Sequence, residues 1–243
     1  MKNLLRSAIR RILPKGVRAW VRRRTQRSSF VSFYDAMSRT GADSPNPWIR
    51  KSSEIGGCLF PEEPEFLWEL ASRPITGHVL EIGTWMGKSA CILAGACKEH
   101  APGSRVICVD TFRMTGTPEQ EEQHKFVAGN GTFYEFVSNA SRFGFEDLVV
   151  PIATLSSHAI PALRGPFRMV FVDGTHDRIA CSRDVELCLP LIAPGGVLAL
   201  HDSAGSGWPE ITAYVQDELN NFPTLRRIGQ RATITAFEKL PSP

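Results

Sequence analysis

The chain has 243 residues, 42% of them hydrophobic, enough for one domain of about 200 residues with a full core plus an appendage. Its net charge of +3 averages two unlike regions, since residues 1–27 hold ten of the 28 Lys and Arg and no acid, leaving an acidic remainder. No apolar run approaches the roughly 20 residues that span a bilayer, and six cysteines without a CxxC pair fit buried thiols in a cytoplasmic protein better than a disulfide frame or a zinc site.

In residues 1–13, Leu4, Leu5, Ala8, Ile9, Ile12 and Leu13 share one helical arc and Arg6, Arg10 and Arg11 the other, with Pro14 as the stop. Residues 1–27 therefore read as a basic amphipathic arm. A peripheral contact with anionic lipid at the inner membrane face and a solvated tail describe it equally well. A nucleic-acid arm ranks behind them, because the apolar residues define a face. Residues 28–60 are mixed, with Phe30, Phe33, Tyr34 and Trp48, and read as a lead-in that packs over the domain or caps its substrate site. The domain proper is expected over residues 61–243. Pro61–Ser72 reads as a helix with Phe66, Leu67 and Leu70 inward, and Glu62, Glu63 and Glu65 suit its positive N-terminal end.

From Gly77 strands and helices alternate. Strands are expected at 78–82, 105–109, 148–152, 168–172 and 196–200. Helices are expected at 86–98, 132–143, 156–163, 177–189 and 209–220. A long polar loop covers 111–131. Residues 225–228 and 233–238 can close the domain as a hairpin around Gly229. Five such alternations imply a parallel sheet with helices on both faces.

The chemistry-bearing residues gather where ligands of such a sheet bind, beyond the carboxyl ends of the strands. Glu81, Asp110, Asp173 and Asp202 each end a predicted strand. Acids are disfavoured in strands and rarely buried unpaired, so packing alone does not call for them. Gly83 and Gly87 bracket a tight turn after the first strand, where a missing Cβ lets a ligand approach. Asp110 follows Gly87 by 23 residues, near the spacing of an acid that meets ribose hydroxyls. That spacing suits NAD and S-adenosylmethionine alike. The dinucleotide fingerprint wants a glycine where Trp85 stands. Glu81 repels a pyrophosphate and suits a ligand carrying an ammonium and a sulfonium. Asp173 and Asp202 on neighbouring strand ends can hold a hard divalent ion.

Four stretches, Glu81-Ile-Gly-Thr-Trp-Met-Gly-Lys-Ser89, Val109-Asp-Thr-Phe112, Phe171-Val-Asp-Gly-Thr-His-Asp177 and Leu189-Pro-Leu-Ile-Ala-Pro-Gly-Gly-Val-Leu-Ala-Leu-His-Asp202, resemble class I S-adenosylmethionine-dependent methyltransferases. The nearest branch includes macrolide-sugar O-methyltransferases and cephalosporin-hydroxylase-like proteins, and the resemblance covers about residues 61–240. It implies an α/β fold, a doubly wound, mostly parallel, seven-stranded Rossmann-like sheet, here behind a basic helical extension. It also implies an O-methyltransferase acting on a hydroxyl of a sugar, glycan or other small molecule, with a homo-oligomer compatible with the family. Glu81 and Gly83, with Thr84, Gly87 and Ser89, resemble the motif that holds the methionine end of the cofactor. Asp110 matches the ribose acid, Thr111 and Phe112 flank the adenine, and Ser156 stands where the family often contacts adenine. Asp173 matches a residue shared by cofactor, catalysis and metal. Related sugar methyltransferases hold Mg²⁺ at positions matching Asp173, His201 and Asp202, and a histidine among these ligands brings Mn²⁺ into consideration. His176 matches the branch's general base, although Thr175 and Asp177 beside it are also good helix caps. Two rival readings are an RNA methyltransferase guided by the arm and a non-catalytic cofactor-binding protein.

Overall fold

The segments Val79–Ile82, Val106–Val109, Met169–Val172 and Val197–Leu200 are buried along nearly their whole length, as strands covered by helices on both sides must be. The computed structural model describes residues 34–113, 131–205 and 207–241. The basic arm and most of the long polar loop lie outside these residues. The chain divides into two compact units, Met1–Ala36 and Met37–Pro243, and every element below belongs to the second.

Seven strands form one sheet in the order β3-β2-β1-β4-β5-β7-β6. Strands β1 (His78–Ile82), β2 (Val106–Asp110), β3 (Val149–Ala153), β4 (Phe167–Val172) and β5 (Ile192–Leu200) are parallel. The last two, β6 (Leu225–Arg231) and β7 (Ile234–Lys239), pair antiparallel, and β7 lies antiparallel to β5. The expected closing hairpin forms, but its turn does not lie at Gly229. Gly229 sits inside β6 at a register shift, and the chain turns at Ala232 and Thr233, with Ala232 at φ 44°. A Cβ at position 229 would come within 3.1 Å of the Phe66 ring, a tight contact.

Among the described residues, the helices of the second unit include α1 (Pro47–Ser52), α2 (Glu63–Ala71), α3 (Lys88–His100), α4 (Thr132–Phe143), the short α5 (Ser156–Ala159), α6 (Arg178–Cys188) and α7 (Pro209–Asp217). One face of the sheet presents Leu80, Val170, Leu198 and Leu200 to Cys181, Val185, Ile211 and Tyr214 of α6 and α7. On the other, α1 and α2 pack against α3. Helix α1 lies in the predicted lead-in and was not expected as a helix. Asn46 caps it by accepting from the backbone N–H groups of Trp48 and Ile49. The Trp48 indole lies across Gly95 of α3, where a Cβ would come within 2.2 Å of Trp48 Cγ. The indole Nε1–H donates to Glu99 at 2.9 Å. Lys88, at the start of α3, buries its ammonium against the carbonyls of Ser38 (2.7 Å) and Ser52 (3.0 Å). Desolvation on burial pushes Lys88 down to about 8.

Register places the site. Ile82 pairs with Val109 and Val172, and Val172 with Leu200. The residues that follow, Gly83, Asp110, Asp173 and His201, therefore line one rim of the sheet at its carboxyl edge.

Candidate active site

The glycine turn after β1 is held from below by Asp110. Its Oδ2 accepts from the backbone N–H groups of Thr84 (3.0 Å) and Trp85 (2.8 Å), and its Oδ1 from that of Phe112 (2.7 Å). One carboxylate thus ties the loop after β1 to the loop after β2. Trp85, Phe112 and Asp202 all have positive φ (48°, 50° and 52°), which is uncommon for residues with a Cβ. Each sits in a different loop at the same rim, the placement typical of backbone strain at functional sites. The Phe112 ring packs edge-on against Phe133 of α4. Gly83 has φ 83°, and a Cβ there would fall 1.9 Å from the carbonyl oxygen of Asp173. Only glycine lets the turn and the end of β4 lie this close.

Glu81 is fully buried. Thr84, Ser89 and Cys108 lie beside its carboxyl group, yet both oxygens, and the Thr84 hydroxyl, lack a hydrogen bond of acceptable geometry. Desolvation raises this carboxyl to about 7. An orphaned buried acid next to a glycine turn can receive a cationic ligand group, and the ammonium of S-adenosylmethionine fits this site. Ser156, by contrast, turns its hydroxyl toward the carboxylate of Asp184 on α6.

A second cluster lies at the ends of β4 and β5. His201 Nδ1 is 3.0 Å from Asp173 Oδ1 and 3.3 Å from Asp202 Oδ2. His176 Nε2 is 2.9 Å from Asp202 Oδ2 and 4.0 Å from Asp173 Oδ1. The His176 ring stacks on Trp208, with centroids 4.1 Å apart and an interplanar angle of 15°. Capping of α6 falls to Asp177, whose side chain accepts from the Ala180 N–H at 2.9 Å. His176 takes no part in that cap. Burial raises the Asp202 carboxyl, but hydrogen bonds from His176 and His201 outweigh it and hold the group well below the usual carboxylate range. Burial raises Asp173, and Asp202 adds to this against the opposing pull of His201. For His201, burial opposes the charge, but Asp173 first, then Asp202 and Glu63, hold the imidazole well above its ordinary value.

Sequence reasoning missed Glu63 as part of this cluster. It was read as a charge suited to the start of a helix, but it is completely buried. Its Oε2 lies 3.1 Å from His201 Nε2, and its Oε1 accepts from the Thr233 backbone N–H (2.9 Å) and hydroxyl (2.7 Å). These partners are 138 and 170 residues along the chain, beyond any local pattern.

The donor set can hold a metal. The ligand atoms of Asp173, His201 and Asp202 lie within 4.8 Å of one another. Two carboxylate oxygens and one imidazole nitrogen, on the acidic side of the charge balance, suit a divalent ion of borderline to hard character. Among the described residues, no helix is long and apolar enough to cross a membrane.

A family profile described as a methyltransferase domain matches residues 80–203, from β1 through the Asp202 loop. Three similar solved structures are O-methyltransferases. NovP shares 11% identity, covering 90% of this chain and 100% of its own, with a TM-score of 0.62. The Bacillus cereus enzyme, in complex with S-adenosylhomocysteine, shares 18%, covering 86% and 100%, at 0.57. TomG from Streptomyces achromogenes, involved in tomaymycin synthesis and bound to S-adenosylmethionine, shares 17%, covering 89% and 96%, at 0.56. At these identities the likeness is one of fold. The profile match over half the chain, set on this sheet and this rim, shows that the chain belongs to the methyltransferase-domain family, the class I S-adenosylmethionine-dependent methyltransferases.

Proposed function

We propose that the protein transfers the methyl group of S-adenosylmethionine to a hydroxyl of a sugar, glycan or other small molecule. His176 is the base in this reading, and a divalent ion assists. The observation that carries the proposal is the His176–Asp202 pair, 2.9 Å apart on the rim that also carries the glycine turn. Oxygen methylation needs a proton acceptor beside the methyl donor. The similar structures being O-methyltransferases adds support.

S-adenosylmethionine supplies an electrophilic methyl group on a sulfonium. Glu81 pairs with its ammonium, Thr84 and Ser89 border that pocket, and Asp110, Thr111 and Phe112 serve its ribose and adenine. Gly83 and Gly87 allow the backbone approach. Ser156, whose hydroxyl lies toward Asp184, would border the adenine from α5. With Asp202 ionised, the His176 proton rests on Nε2 and is donated to Asp202, which leaves the Nδ1 lone pair to accept the hydroxyl proton. Stacking on Trp208 fixes the ring, and Asp202 stabilises the imidazolium that forms, as a carboxylate does in other His–acid pairs. Asp173, His201 and Asp202 would hold Mg²⁺ or Mn²⁺, which would orient the acceptor and acidify its hydroxyl. Much of the rate enhancement is then a matter of alignment. Residues 1–27 would bring the enzyme to an anionic membrane surface.

The test is calorimetry with S-adenosylmethionine, with and without Mg²⁺ or Mn²⁺, followed by transfer of labelled methyl to a panel of polyhydroxylated acceptors. Absence of cofactor binding under all conditions would end the proposal. With amine and thiol compounds added to the panel, labelling confined to them would remove the hydroxyl specificity.

A further inference from the structure

We infer that Glu63 is a positioning residue of the metal site: its carboxylate holds the His201 ring so that Nδ1 faces Asp173 and Asp202. The inference deepens the metal reading given above and rests on it. Glu63 opens α2, away from the four strand ends that carry the other site residues.

Each of its oxygens has two neighbours. Oε1 accepts from the N–H and hydroxyl of Thr233. Oε2 accepts from the Phe60 N–H at 2.7 Å and faces His201 Nε2 at 3.1 Å. The two backbone N–H groups can only donate, so they fix the carboxylate from both sides as an acceptor. An acceptor carboxylate oxygen 3.1 Å from the ring is met by an N–H, which assigns the proton to Nε2. Nδ1 stands at 3.0 and 3.3 Å from the two aspartates and donates to them without an ion; an ion there would take the Nδ1 lone pair in place of that proton, with Nε2 still donating to Glu63. A ligating histidine whose other N–H is held by a carboxylate is the arrangement that fixes ring orientation and raises basicity. A helix-capping role accounts for the Phe60 contact alone. It leaves unexplained why the carboxyl group is wholly buried and reaches His201 and Thr233.

The test uses the full chain as wild type, Glu63→Gln and Asp173→Asn. Calorimetry gives Mn²⁺ and S-adenosylmethionine affinities, and ¹H–¹⁵N spectra of histidine-labelled protein at one pH report the His201 ring nitrogens, assigned by His201→Gln. In the wild type we expect a proton on Nε2. In Glu63→Gln we expect Mn²⁺ binding roughly 10- to 100-fold weaker, S-adenosylmethionine affinity unchanged and the Nε2 proton signal altered. Both affinities falling together, or a folded Glu63→Gln with unchanged Mn²⁺ affinity and His201 signal, overturns the inference. An unprotonated Nε2 in the wild type also overturns it, and needs no variant to fold. If the wild type binds no ion, as Asp173→Asn is expected not to, while Glu63→Gln still changes the His201 signal, the metal reading fails and the hold of Glu63 on the ring stands.

Discussion

Glu81→Gln separates the proposed cofactor role of this residue from its effect on stability, because the two are expected to move in opposite directions. Burial raises the Glu81 carboxyl from 4.5 to about 7, and it has no hydrogen-bond partner of acceptable geometry. The sign follows from linkage. The folded protein holds a proton that the unfolded chain has already released, so the stability this proton contributes is present in full below about 4.5 and lost as pH rises through about 7. The loss comes to about 3 kcal/mol. A glutamine is neutral throughout and escapes it. Glu81→Gln should therefore match the wild type near pH 4.5 and be more stable by up to about 3 kcal/mol at pH 8, read by urea unfolding. S-adenosylmethionine affinity should fall by roughly 10- to 100-fold at pH 8, since a charge-assisted hydrogen bond contributes about 1.5–3 kcal/mol. In the wild type the dissociation constant should tighten about tenfold between pH 6 and 8, as the ionised fraction rises from about 0.1 to 0.9. The variant should show no such dependence. The reasoning is refuted if Glu81→Gln binds the cofactor as well as the wild type, or if it is the less stable protein at pH 8.

Four further outcomes are expected. His176→Ala should lower kcat for labelled methyl transfer by roughly 10²- to 10⁴-fold with S-adenosylmethionine affinity retained; a loss of affinity without a loss of kcat would remove His176 as the base. Gly95→Ala sets a helix-propensity gain of about 1 kcal/mol against a Cβ placed 2.2 Å from Trp48 Cγ. Overpacking at about 1–3 kcal/mol should win, and a raised melting temperature would contradict the close seating of Trp48. Gly83→Ala combines φ 83° with a Cβ 1.9 Å from the Asp173 carbonyl, so it should destabilise by about 2–5 kcal/mol in urea unfolding and weaken cofactor binding with it. Wild-type stability would show that the turn can move away from β4. Removal of residues 1–27 should abolish sedimentation with anionic vesicles at low salt without changing S-adenosylmethionine affinity; equal sedimentation would exclude the arm as the anchor.

The strands and most helices were legible because their signals are local. Thr132–Phe143 and the run His78–Ile82 coincide with the observed α4 and β1, set by apolar spacing within a dozen residues. Helix α1 escaped because six residues give too short a period; its local signal is only the Asn46 cap and Pro47, and Trp48 seated on Gly95 adds the tertiary contact. Gly229 was misread because a glycine between two apolar runs marks a turn or a bulge alike. Here it lies at the register shift in β6, with the Phe66 ring, 163 residues away in sequence, packed beside it.

The sequence by itself determined which residue types stand at the strand ends, and through them the family: Glu81, Gly83, Asp110, Asp173, His176, His201 and Asp202 were all identified from local pattern and motif. Tertiary structure decided what each group touches. It turned Asp110 into a clamp on the glycine turn, paired His176 with Asp202 over Trp208, and brought Glu63 to His201 across 138 residues. Strand ends are specified by short-range hydrophobic alternation, whereas the partners of a buried charge are chosen by the sheet register and by helices packed from distant segments. A glutamate at the start of a helix looks the same in sequence whether it faces water or a histidine.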